Sequence, residues 1–93
     1  MTILDNTARH RFEAAVGDHV AVVGYARHGD AIIFTHTEVP DALRGQGVGD
    51  ALARAALDSA RARKLRVVPL CPFIGAFIRR HTEYQDLLEK PRG

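Results

Sequence analysis

The segment Arg44-Gly45-Gln46-Gly47-Val48-Gly49 sets three alternate glycines beside an arginine, just ahead of a stretch with helical periodicity. A helix N-terminus presents amide N–H groups that lack partners in the helix, together with a partial positive charge, and the two hold phosphate oxygens. Glycine lets the backbone approach such a ligand closely, and the arginine can add a two-pronged contact to a phosphate. The spacing argues against two other phosphate sites. A dinucleotide fingerprint needs Gly-x-Gly-x-x-Gly, and Asp50 stands where the third glycine counted from Gly45 would be. A nucleoside-triphosphate loop ends in Gly-Lys-Ser/Thr, whereas this turn ends Val-Gly-Asp. The plain alternative is a strand-to-helix turn that uses glycine for geometry alone.

Glu38 and Cys71 are the next candidates. Strand alternation places Ile32, Phe34, His36 and Glu38 on one face, and a carboxylate sharing a face with Ile32 and Phe34 would have a raised pKa suited to proton abstraction near neutrality. A strand-end glutamate paired with an arginine is the other reading. Cys71 precedes Pro72 and so falls at a helix N-cap, where the dipole favours thiolate and a nucleophilic role. Free cysteine is also among the most buried residue types, so a small core side chain remains open for Cys71. His36 and His81 are further candidate bases, imidazole being the side chain suited to proton transfer near neutrality, yet most of the five histidines are expected to be surface or structural. No His-x-x-x-His pair occurs and cysteine partners are missing, so no metal site is expected.

The elements that must position these residues are legible in outline. Residues 11–16, 19–26 and 31–39 read as strands separated by Gly17-Asp18 and His28-Gly29-Asp30, which predicts an antiparallel meander. Beyond the glycine turn, Val48, Leu52, Ala55, Ala56 and Ser59 recur at helical spacing to about residue 64. Residues 66–70 form a short apolar strand, and Pro72 opens a second helix to about residue 81. The long helix, rich in alanine, can lie close against the sheet.

The motifs together resemble the GCN5-related N-acetyltransferase family, whose pyrophosphate loop reads Arg/Gln-x-x-Gly-x-Gly/Ala and is met by Arg44, Gly47 and Gly49. The lead-in Val39-Pro40-Asp41-Ala42-Leu43 fits as well. His36-Thr37-Glu38-Val39-Pro40, Val68-Pro69-Leu70-Cys71-Pro72-Phe73 and Arg79-Arg80-His81-Thr82-Glu83-Tyr84 are similar to the compact group of that family, about a hundred residues long, over roughly residues 30 to 88. The resemblance implies an α/β (α+β) fold: a mixed, mostly antiparallel sheet with two packed helices and an acyl-CoA cleft where strands splay. It implies acetyl-CoA or coenzyme A as co-substrate, its pyrophosphate on the amides of Gly45, Gln46, Gly47, Val48 and Gly49 and its pantetheine arm beside Glu38 and Val39. Direct transfer to an amine would follow, with Glu38 as base. Independently of the resemblance, the N-cap position of Cys71 would let it line the site beside the coenzyme A sulfur or, on a covalent route, carry the acyl group. Two departures stand out. Phe77 occupies the position where many larger members carry a tyrosine acid, with Tyr84 a weak substitute several residues on. Only one strand precedes the hairpin, so the helices that shape the acceptor pocket elsewhere are missing and the site is open or completed by a partner, admitting a peptide or protein lysine.

Composition bounds the rest. Ninety-three residues, 46% of them hydrophobic, suffice for one core, and a single domain over residues 1–93 is expected. A net charge of +2 suits an anionic small ligand better than nucleic acid, and Arg61, Arg63, Lys64 and Arg66 read as a solvated helix end without interleaved aromatics. No apolar run approaches the roughly 20 residues of a membrane span, and residues behind Met1 lack a signal-peptide core. A soluble, cytoplasmic protein is therefore expected, with neither nucleic acid nor membrane as partner. A coenzyme A-binding sensor or regulatory module without turnover is the alternative to an enzyme.

Overall fold

A computed structural model describes residues 1–88. Its sheet has five strands in the order of the chain: β1 (Thr2–Asn6), β2 (Arg11–Val16), β3 (His19–His28), β4 (Ala31–Glu38) and β5 (Arg66–Pro69). The first three pairings are antiparallel, and β4–β5 is parallel. A parallel pair needs a crossover, which α1 (Val48–Ala62) supplies; α2 (Pro72–Arg80) follows β5, and a 3-10 segment, Thr82–Leu87, closes the described chain. The mixed, mostly antiparallel sheet with two main helices agrees with the sequence reading.

β1 corrects that reading, because two strands rather than one precede the β3–β4 hairpin. Thr2–Asn6 has no strong strand signal of its own. Its state comes from the ladder to β2, Thr2 opposite Ala15 through Asn6 opposite Arg11, and from Asp5, which accepts a 2.7 Å hydrogen bond from the Tyr25 hydroxyl and lies 3.3 Å from the Arg63 guanidinium.

One core unites the helices with one sheet face. Phe12, Ala14, Val23, Phe34 and Val67 meet Leu52, Ala53, Ala56 and Leu57 of α1 and Ile74, Phe77 and Ile78 of α2, all buried. The run of alanines on α1 is what permits its close approach to the strands.

A bulge in β4 sets the geometry that matters for function. Gly24 pairs with His36 but its neighbour Tyr25 pairs with Phe34, so Thr35 is an extra residue in β4. Alternation therefore changes phase at Thr35. Thr37, opposite Val23, joins the core-facing side with Phe34, while His36 and Glu38 turn to the opposite face. The expectation that Glu38 shares a face with Ile32 and Phe34 is thus overturned: one inserted residue reverses a period of two. β5 pairs with β4 only as far as Phe34 opposite Pro69, and from Thr35 to Glu38 the two strands part.

Candidate functional site

From Glu38 the chain passes Pro40 into a single 3-10 turn, Asp41–Leu43, then runs extended through Arg44. Gly45 and Gly47 both adopt left-handed backbone, with φ of 78° and 75°. These are conformations an L side chain resists, and they explain why glycine stands at both positions. Gly47 is the N-cap of α1, and the first bond of the helical ladder runs from the Ala51 N–H to its carbonyl at 3.0 Å. The amides of Val48, Gly49 and Asp50 precede that bond and stay outside the ladder. Gly49 serves a different need: a methyl carbon there would come within 2.9 Å of the Phe73 ring, so its lack of a side chain lets α1 start against α2.

Beside this turn lies a cavity of about 470 Å³. Thr37 and Val39 form one wall, Arg44, Gly45, Gly47 and the first residues of α1 the other, and Phe73 contributes from α2. The Arg44 guanidinium is exposed and held 3.0 Å from the Asp41 carboxylate, an arrangement an incoming phosphate can exchange for itself at little cost. Asp50, an acid that lines the cavity, lies 3.5 Å from the Arg80 guanidinium.

Of the residues singled out in the sequence, Val39, Arg44, Gly45, Gly47, Val48 and Gly49 come together on this cavity. Three do not line it. Gln46 turns its side chain back to donate to the Ala42 carbonyl at 3.0 Å. Glu38 is exposed on the other face of the sheet. Cys71 is the N-cap of α2 as expected, but only 2% exposed; its N–H donates to the Phe34 carbonyl, and its thiol lies 3.0 Å from the hydroxyl of Thr37, a lining residue of the cavity. Thr37, Leu43, Asp50 and Phe73 line the cavity without having been expected to. For Thr37 the signal was hidden by the bulge, which no local pattern announces.

Phe77, where a tyrosine acid would be sought, is fully buried and stacked on the His81 ring at 4.1 Å between centroids. The Tyr84 hydroxyl is committed elsewhere: it donates to Asp58 at 2.6 Å and accepts from Arg54 at 3.2 Å. Burial, and then the bond to Asp58, push this phenol up from its ordinary value, so it stays protonated. Among the basic run, Arg61 pairs with Asp86, Arg63 with Asp5 and Arg66 with Asp30. No group of three or more His, Cys, Asp or Glu able to hold a metal occurs among the described residues, and no described helix is long and apolar enough to cross a membrane.

A meander joined by a helical crossover to a parallel strand, with a glycine turn feeding the crossover helix at the splay, defines the acetyltransferase class of α/β fold. The solution structure of a GCN5-like protein from Staphylococcus aureus superposes with a TM-score of 0.75 over 98% of this chain and 90% of that one, at 26% identity. The family model described as GCN5-related N-acetyl-transferase matches residues 11–87, and the chain belongs to that family. Among similar sequences, Protein NATD1 of Bos taurus is 43% identical over 60 residues, and that of Homo sapiens 40% over 60. Each match covers 63% of this chain and 53% of the relative, so the chain spans about half the length of the curated relatives it matches.

Proposed function

We propose that the chain is an acyl-CoA-dependent N-acyltransferase, with acetyl-CoA as co-substrate and a primary amine, such as a peptide or protein lysine, as acceptor. The observation that carries this reading is the cavity between the left-handed glycine turn and the unpaired edge of β4. The pyrophosphate of coenzyme A would lie on the amides of Val48, Gly49 and Asp50 and near Arg44, where helix-end polarity favours an anion. Its pantetheine arm would run back past Val39 and Thr37 toward the point where β4 and β5 rejoin, a backbone edge with the N–H and C=O groups an amide-bearing arm can pair with. The amine nitrogen then attacks the thioester carbon, the C–N bond forms, the C–S bond breaks, and coenzyme A leaves as its thiol.

A second reading, a coenzyme A-binding sensor without turnover, is favoured by Phe77 and by the engaged Tyr84 hydroxyl, which leave no tyrosine acid beside the cavity. Cys71 as acyl carrier would require its buried thiol to become accessible from the cavity. The lone cysteine and an acyl-CoA ligand suit a cytoplasmic setting.

Calorimetric titration of acetyl-CoA into the protein and an Arg44→Ala, Gly47→Ala double variant, with mass spectrometry of the product, tests the proposal. Micromolar binding lost in the variant supports it. An added acetyl mass that disappears in Cys71→Ala would favour the covalent route, and absence of binding to the unmodified sequence would sink the acyltransferase reading.

A further inference from the structure

We propose that the uncovered face of the sheet docks a second copy of this chain, face to face and with strands antiparallel, in a twofold dimer. The inference goes beyond the acyltransferase reading and does not rest on it. Among the described residues, the helices and the 3-10 segments bury their apolar side chains against one side of the sheet, that of Phe12, Val23, Phe34 and Val67. The other side keeps apolar residues in water: Leu4 on β1 is 49% exposed and Val20 on β3 45%. An exposed apolar patch set among polar groups marks an association surface.

The strand registers set out this face in rows. One row across the strands holds Leu4, Glu13, Val22 and Glu38, and the next holds Arg11, Gly24 and His36. Acids and bases therefore stand in two lines about 7 Å apart, Glu13 beside Arg11 on β2 and Glu38 beside His36 on β4. Val20 lies one row outside the acids, and Ala26 one row outside the bases. Three of the polar side chains are already held. Arg11 Nε donates to Glu13 at 2.6 Å, and the His36 ring lies over Gly24, where a methyl carbon would overlap it. Little side-chain freedom is left to lose on docking.

The charge pattern chooses the partner and its orientation. A twofold axis running across the strands, between the two rows, lays the acid row of each copy on the basic row of the other. Glu13 then meets Arg11 of the second copy, Glu38 meets its His36, and Val20 meets its Ala26. An axis along β3 would instead set Glu13 against Glu38, like charge on like, and that arrangement is selected against. Two twisted sheets pack in this way about 10 Å apart with strand directions within about 30°. Five strands and about eight residues of strand length give a face of roughly 600 Å² per copy, and the pair buries roughly 1,200 Å², the lower end of specific interfaces. The cavity beside the glycine turn, with Thr37 in its wall, lies on the core side and stays open in the dimer.

Sedimentation equilibrium of the full chain and of two charge-altered forms tests the dimer. Glu13→Lys with Glu38→Lys makes the face wholly basic, and Arg11→Glu with His36→Glu makes it wholly acidic. The unmodified protein should pass from monomer to dimer as its concentration rises, each altered form alone should stay monomeric, and an equimolar mixture of the two should dimerise again. Val20→Glu, off the charged rows and at an exposed position, should weaken the dimer at least tenfold while leaving the circular dichroism spectrum and melting temperature unchanged. It decides the matter if either charge-altered form fails to fold. An unmodified protein that is monomeric at about 1 mM overturns the proposal. So does a dimer that survives Val20→Glu, or two folded charge-altered forms that fail to pair when mixed.

Discussion

Two polar clusters on α1 are built on opposite plans. Around the middle and end of the helix, Arg54, Asp58 and Arg61 grip the C-terminal segment: Tyr84 bridges Asp58 and Arg54, and Arg61 makes paired bonds to Asp86 at 2.8 and 2.9 Å and another to the Glu83 carbonyl at 2.7 Å. Phe77 lies beneath, with the Arg54 guanidinium 5.5 Å from its centroid. At the start of the helix, left-handed glycines and amides outside the ladder face a cavity. The clamp satisfies its groups internally, and the turn leaves the first amides of α1 outside the helical ladder. The difference teaches that hydrogen-bonding capacity left unspent at a rigid helix end marks the functional region, while dense internal pairing marks the structural one.

Mutations can break this contrast. Phe77→Ala should remove about 3–5 kcal/mol of stability in a denaturant titration, since it empties the apolar base of the clamp. Gly47→Val forces a branched side chain into left-handed backbone; a loss of about 1–3 kcal/mol is expected, with acetyl-CoA affinity falling at least tenfold by calorimetry (roughly 1.4 kcal/mol). Tyr84→Phe takes the donor from Asp58 and should cost about 1–2 kcal/mol while leaving acetyl-CoA affinity unchanged; weakened binding would show that clamp and turn are coupled.

The Tyr25 phenol offers a pH test outside both clusters. Burial first, then its bond to Asp5, pushes it up to about 12. Folding thus favours the protonated form, so its stabilising contribution is whole below the unfolded-state value near ~10 and is lost as pH rises through about 12. Tyr25→Phe should flatten the alkaline fall in stability across that window, as followed by chemical denaturation at successive pH values. The smallest effect is expected for Arg61→Ala, under about 1 kcal/mol by thermal melting, because its pairing with Asp86 is largely exposed to water.

Much of the fold was legible because its signals are local. The alternation in β2, the β-branched and aromatic content of β4, the turns at Gly17 and Gly29, the helical spacing after the glycine turn and the proline opening α2 each act within a few residues. β1 was not, since Thr2–Asn6 becomes a strand only by pairing with Arg11–Val16. Nor was the closing 3-10 segment, held by Arg54 and Arg61 from α1. In the candidate site Gly45, Gly47 and Gly49 were legible as lining residues, whereas Glu38 was assigned to the wrong face of β4 and Gln46 does not line the cavity; for Cys71 the buried core reading is the one the structure has.

Sequence alone determined the glycine turn and the helix start behind it, since Gly45 and Gly47 encode left-handed backbone that needs no distant partner. Tertiary structure decided which side chains meet it. The extra residue Thr35 appears only in the register against Gly24 and Tyr25, and that register sends Thr37 to the cavity and His36 and Glu38 to the opposite face. A strand's facing is a relation between two strands, and one strand's sequence cannot fix it.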